Sequence, residues 1–273
     1  MPHLPPSAQL WKERAEIDHI GPFVKAWAAF NAWYRHASQA AKEAEMLAYV
    51  KANPNPVRGR VLPMLDNHNA GPNEFGEGGE ARTFKQSICD LQLALDAFQF
   101  EVTKNGTHER VTLRGVCIAP KHLNQEVFNK NNHDYRIGRI QGGGGRIEVT
   151  VTSTATQVVK FRHEQDQYDR NELFAQPGFV ALSQAQRSAL QTFYVGADPR
   201  PMIDLTAGNG PELMIGTIPF NCTAEQLFFG LVEVIYAMRN ALLHGELQPD
   251  KQVLACYDPA YRIIMHFLDC LHD

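Results

Sequence analysis

The sequence predicts a mainly α fold with an α+β insertion, from three observations. Aromatic residues recur at helical spacing within the first fifty positions, and an apolar helical period returns over about the last fifty. Between them lie short alternating segments bounded by Gly, Pro and Asn. The expected organisation is a helical bundle contributed by residues 1–52 and 221–273, interrupted by residues 53–220. A chain of 273 residues is long enough to bury a sizeable core in such an arrangement.

Helical patterning runs from about Ser7 to Val50, with Phe23, Trp27, Phe30 and Tyr34 on one face, and this stripe is expected to be core. Gly21-Pro22 divides the segment, and because proline suits a first helical turn, one long helix is expected from about Pro22 to Ala52. From Asn53 to Glu80 the composition turns to Pro, Gly and Asn, which predicts a loop. Ala81 to Phe98 reads as a helix. After it, Phe100–Lys104, Asn105-Gly106 and Glu109–Val116 form the clearest hairpin pattern, since Asn-Gly supplies the positive φ values of a type I′ turn. Arg146–Thr152 and Gln157–Arg162 predict a second strand pair, so a small antiparallel sheet is expected mid-chain. Gly142 to Gly145 lacks the GK[ST] ending of a phosphate loop and reads as a turn between strands. Ser183 with Gln186 opens a helix over about Leu182–Phe193.

Thr223 with Gln226 matches a capping box ahead of a strongly apolar helix. At about 100° per residue, Leu227, Leu231, Val234, Ile235, Met238 and Leu242 fall on a core side, whereas Glu233, Tyr236, Asn240 and His244 fall opposite, with Arg239 at the edge. Gly245 is placed to end this helix in a left-handed cap just after His244. Asp258-Pro259 predicts the cap and first turn of a final helix carrying Ile263, Ile264, Phe267, Leu268 and Leu271.

Composition excludes several classes. The apolar and charged fractions, 44% and 21%, are those of globular chains, so disorder and fibrous folds are excluded. No apolar run approaches the roughly 20 residues of a membrane span, and Met1–Ser7 lacks a basic-then-apolar leader pattern, so a cytoplasmic location without membrane contact is expected. Five cysteines without CxxC spacing argue for buried thiols. Cys256, His266, Cys270 and His272 depart from structural zinc patterns, and neither a metal nor a cofactor is expected. With a net charge of −4, nucleic-acid binding would need a local patch. Residues 101–162 lean basic, with ten Lys and Arg against five Asp and Glu, a pattern that suits either such a patch or a solvated sheet face.

The chemistry-bearing cluster is Arg239-Asn240-Ala241-Leu242-Leu243-His244-Gly245. In this context, after an apolar helix and before a last one, it resembles the signature of the HEPN superfamily. Phe30-Asn31-Ala32-Trp33-Tyr34 adds to the likeness, since an aromatic-and-Asn first helix is similar to that of many bacterial HEPN proteins. The resemblance spans about the first and last fifty residues. It implies a HEPN-like helical bundle and a metal-independent endoribonuclease of bacterial toxin–antitoxin or antiviral defence, acting on RNA at a composite homodimer site. A cognate antitoxin or regulatory protein is the further partner it suggests.

The side chains suit that chemistry. Metal-independent RNA cleavage uses the 2′-hydroxyl as nucleophile and needs a proton acceptor, a proton donor and positive charge at the phosphate. His244 can exchange protons near neutrality, Arg239 can hold two phosphate oxygens, and Asn240 can orient either. Tyr236, Asn31 and Glu233 are secondary substrate-binding candidates. Two alternatives stay open: a non-catalytic HEPN-fold dimer that binds RNA or nucleotides or serves as a scaffold, and a plain helix end whose Arg and His complement the negative dipole terminus.

Overall fold

A computed structural model describes residues 18–66, 79–104, 107–140, 142, 145–247 and 251–271. The described residues up to Ile118 and from Met202 onward form one compact unit, and Ala119–Pro201 forms another. The first is mainly helical with two short hairpins, and the second pairs an antiparallel sheet with helices.

In the helical unit, α1 (Ile20–Ser38) buries Phe23, Trp27, Phe30 and Tyr34, the expected stripe. The chain then leaves the helix at Gln39, whose φ of 51° is left-handed, and re-enters at α2 (Glu43–Ala52). The single helix expected over Pro22–Ala52 is thus two. Local propensity favours continuation through Ala- and Glu-rich residues 40–45, but none of residues 35–45 is buried. With no core face to hold a continuous rod, the chain turns, and α2 packs on α1 and on the penultimate helix.

The expected loop after Asn53 contains a further helix, α3 (Pro56–Leu65). Asn55 caps it by accepting the Arg58 N–H at 2.9 Å, Pro56 occupies its first turn, and Val57, Val61 and Leu65 share its buried face. Composition alone hid this i, i+4, i+8 repeat behind prolines. Residues 67–78 of the same expected loop lie outside the described residues.

Helix α4 (Gly79–Phe98) carries Gln92, fully buried, whose amide donates to Thr112 Oγ1 at 3.0 Å and accepts from the Leu113 N–H at 2.9 Å. That link fixes the segment following the hairpin of β1 (Glu101–Lys104) and β2 (Thr107–Arg110). The expected Asn105-Gly106 turn between them lies outside the described residues.

The second unit holds a four-stranded antiparallel meander, β3 (Glu126–Lys130), β4 (His133–Arg139), β5 (Ile147–Ser153) and β6 (Val159–Gln165). The β5–β6 pair matches expectation. The β3–β4 hairpin was not foreseen, although Asn131 and Asn132, with φ of 52° and 58°, supply the same positive angles as an Asn-Gly turn. Tyr135, Ile137, Val149, Val151 and Phe161 face a core shared with α5 (Arg170–Ala175), α6 (Pro177–Val180) and α7 (Gln184–Gly196). Ser183 and Gln186 cap α7 reciprocally, as expected.

Back in the helical unit, β7 (Glu212–Ile215) and β8 (Ile218–Asn221) form a hairpin that was also not foreseen. It leads into α8 (Ala224–Leu243), opened by the expected Thr223–Gln226 capping box. Ten residues of α8 are buried, including Phe228, Val232, Ala237 and Ala241 beyond the expected core side. Alone among the described helices, α8 is long and apolar enough to cross a membrane by composition, with a mean hydropathy of 1.2, and here that apolar surface meets the core.

The last helix, α9 (Lys251–Asp269), begins well before the expected Asp258-Pro259 start, and Pro259 lies buried inside it. Val253, Cys256 and Tyr257 extend the buried face upstream, and the Tyr257 hydroxyl donates to the Met238 carbonyl at 2.9 Å. This packing outweighs the hydrogen bond that a mid-helix proline removes. The described residues within 53–118 and 202–220, expected as insertion, cluster in one unit with the described residues of the terminal helices and add side chains to the same core.

Candidate functional site

Helix α8 ends in a Schellman motif. Its cap is His244; Gly245, at φ +69°, donates to the Leu242 carbonyl, and Glu246 donates to that of Ala241 at 3.0 Å. This turn leaves the His244 side chain exposed, with no hydrogen bond or ion pair among the described residues.

The face of α8 expected to meet solvent is instead partly covered by α2. Glu233 pairs with Lys51 at 2.5 Å, and the Tyr236 hydroxyl donates to Glu43 Oε2 at 3.1 Å. Arg239 lies 3.6 Å from the same carboxylate oxygen and donates to Asn240 Oδ1 at 2.8 Å. Its guanidinium sits 5.9 Å from the Trp27 ring centroid and 6.0 Å from that of Tyr236, within cation–π range of both.

Glu43 is the hub. Beyond Tyr236 and Arg239, it accepts at Oε1 from the Tyr34 hydroxyl at 2.9 Å and from Asn31 Nδ2 at 3.2 Å. Burial raises the pKa of the Tyr34 hydroxyl, and its hydrogen bond to the Glu43 carboxylate adds to the rise. Burial likewise raises that of Tyr236, with a hydrogen bond from Asn240 opposing it. Both phenols are therefore neutral donors at physiological pH.

Two cavities open beside this network. One, of about 240 Å³, is lined by Asn31, Arg35, Ala41, Glu43, Met46 and Arg239. The other, of about 280 Å³, is lined by Val24, Trp27, Ala28, Asn31, Arg35, Arg239 and Leu243. They share Asn31, Arg35 and Arg239, so a polar chamber and an apolar one meet at a pair of guanidinium groups. Arg35 is exposed and has no hydrogen bond or ion pair among the described residues.

Of the residues singled out in the sequence, Arg239, Tyr236 and Asn31 converge on Glu43, and Asn240 joins them through Arg239. Glu233 is engaged in its own ion pair, and His244 lines neither cavity. Sequence reasoning missed Glu43 and Arg35. Arg35 had a signal, since it follows Asn31 by four residues and so extends the Asn31 side of α1. Glu43 had none, because only the break after Ser38 folds it back onto α8.

No group of three His, Cys, Asp or Glu side chains able to hold a metal occurs among the described residues. Cys256 and Cys270 are buried, His266 packs edge-on against Phe84 at 5.3 Å, and His272 lies outside the described residues. In comparisons with known proteins, the chain matches no family model, no curated protein and no solved structure.

Proposed function

We propose that this protein is a HEPN-like, metal-independent endoribonuclease of a bacterial toxin–antitoxin or antiviral defence system, acting in the cytoplasm as a homodimer. The observation that carries this reading is the C-terminal end of α8: an oriented Arg239 beside a groove holding a second cation, and an exposed, unengaged His244 five residues on.

The chemistry assigns each group a step. The 2′-hydroxyl of the substrate attacks phosphorus, so a 2′-oxygen–phosphorus bond forms as the bond to the 5′-oxygen breaks. One neutral imidazole takes the 2′ proton and a protonated imidazole gives one to the leaving oxygen. Each chain supplies one His244, so two copies complete the pair across a twofold axis. Arg239, aligned by Asn240 and Glu43, offers charge to the phosphate oxygens. A cognate antitoxin or other regulatory protein would act by covering this end of α8.

The test is incubation of the purified protein with labelled RNA in excess chelator. Cleavage is expected, with His244→Ala and Arg239→Ala each lowering the rate by about 10²-fold or more while the protein stays folded and dimeric. Uncut RNA at all protein concentrations would overturn the enzymatic reading.

A second reading rests on a specific observation: Glu43 already occupies part of the Arg239 guanidinium, and His244 stands outside both cavities. That arrangement suits a non-catalytic dimer that binds RNA or nucleotides. It predicts RNA retention without strand scission, and binding unaffected by His244→Ala.

A further inference from the structure

The two cavities differ in what they can hold, and the difference is chemically specific. Four of the residues lining the larger one, Val24, Trp27, Ala28 and Leu243, are apolar. Two of these remain open to solvent although large, Val24 at 37% and Leu243 at 55% exposed. Trp27 is only 4% exposed, and its indole N–H is buried with no hydrogen-bond partner among the described residues. The Nε of Arg239 is buried and unpartnered in the same way. Buried donors are nearly always satisfied, and both of these belong to residues lining this chamber.

The smaller chamber has the opposite character, with Asn31 and Glu43 as its polar groups, and Arg35 and Arg239 stand where the two meet. Arg239 has its charge shared with Glu43, whereas Arg35 has no counter-ion among the described residues. An uncommitted guanidinium beside an oriented one complements a single anionic group with several acceptor oxygens. An apolar chamber directly alongside complements a flat ring attached to that anion.

We infer that the groove between α1 and α8 is a one-nucleotide subsite, in which Arg35 and Arg239 grip a phosphodiester and the chamber of Val24, Trp27, Ala28 and Leu243 takes the attached base. Arg35 is the anchoring residue, because its charge is free to be answered by the phosphate. Asn31 and Glu43 face the sugar side, where a carboxylate and an amide can pair with hydroxyls. The subsite rests on the nucleic-acid reading above and gives it a register: one base is held in the groove while the adjoining phosphate lies toward the end of α8. Selectivity for single strands follows, since a base must leave its stack to enter.

The probe is a short, labelled single-stranded DNA, which lacks the 2′-hydroxyl and so reports binding by the full-length protein without turnover. Saturable binding is expected. Arg35→Ala should weaken it about tenfold, the loss of one charge-assisted contact, and Arg35→Lys should recover part of it by restoring charge without the fork. Leu243→Asp should weaken it as well, and an oligomer with abasic sites should bind less tightly than its base-bearing counterpart. Both substituted positions are exposed, so folding is expected to be unchanged and is checked by circular dichroism. The inference is overturned if native protein shows no saturable binding, if both variants bind as native does, or if the abasic oligomer binds equally well. Failure here is separable from failure of the enzymatic reading. RNA cut by a protein whose DNA binding ignores Arg35 and Leu243 removes the subsite alone, whereas binding that depends on both without RNA cleavage removes the nuclease alone.

Discussion

Each unit of this molecule builds a tyrosine-centred polar network, and the two are finished differently. In the sheet-containing unit, the Tyr194 hydroxyl donates to Gln165 Oε1 at 2.6 Å, and the Tyr168 hydroxyl donates to the Tyr194 carbonyl at 2.7 Å. The two rings stack at 4.4 Å, nearly parallel. Every partner there is neutral, and none of these residues lines a described cavity. In the helical unit, Tyr34 and Tyr236 converge on a carboxylate, the carboxylate meets a guanidinium, and that guanidinium borders open space. A closed, neutral network serves packing. A charged one that keeps unpaired donors at a cavity wall holds binding capacity in reserve, at some expense to stability.

The sharpest way to test that contrast is to remove one central polar group from each network. Glu43→Ala removes the acceptor of the Tyr34 and Tyr236 hydroxyls, one of the two partners of the Asn31 amide and the counter-ion of Arg239 together. Glu43 keeps 32% of its side chain exposed, so water relieves part of the penalty. The expected loss, read by urea denaturation, is about 2–3 kcal/mol. If Glu43→Ala is neutral, the hub is not what orients Arg239. Next in size is Tyr194→Phe, which leaves buried Gln165 without its hydroxyl donor for an expected loss of about 1–2 kcal/mol. Its effect on oligonucleotide binding should be nil, whereas Glu43→Ala should alter binding as well as stability. Equal effects on binding would erase the distinction between the two networks.

The same contrast explains what could be read in the sequence. Regular periodicities and short-range chemistry were legible: the aromatic face of α1, the capping boxes at Ser183 and Thr223, the Gly245 cap and the β5–β6 pair each depend on residues a few positions apart. Arg239, Asn240, Tyr236 and Asn31 were legible for the same reason, by type and helical spacing. What stayed hidden depends on distance along the chain. Glu43 meets Tyr236 and Arg239 only because α1 ends early, and the early end accompanies a stretch, residues 35–45, in which no side chain is buried, which no local preference reveals. Proline misled twice, at Pro56 and Pro259, because tertiary burial of Val57, Val61, Val253 and Tyr257 decided helix limits against composition.

The smallest expected effect is a titration that separates the networks from the rest of the helical core. Tyr34, Tyr236, Tyr168 and Tyr194 all have raised pKa values, chiefly through burial, so the four phenols stay protonated from neutral pH into mild acid and none of them titrates there. His266 does respond. Burial lowers its pKa from 6.5, with Arg262 acting in the same direction and Asp269 and Glu80 opposing, and its ring packs edge-on against Phe84. A histidine with a depressed native pKa is neutral when folded and takes up a proton more readily when unfolded. Its contribution to stability is therefore complete above pH 6.5 and declines as pH falls below that value toward the native pKa. Denaturant midpoints measured from pH 7.5 to 5 should decline, and His266→Gln should decline less than native over that interval. A native-like decline in His266→Gln would assign the acid sensitivity elsewhere. Because His266 lines neither cavity of the α1–α8 groove, the variant should leave oligonucleotide binding at pH 7.5 unchanged, which separates acid lability of the core from chemistry at the end of α8.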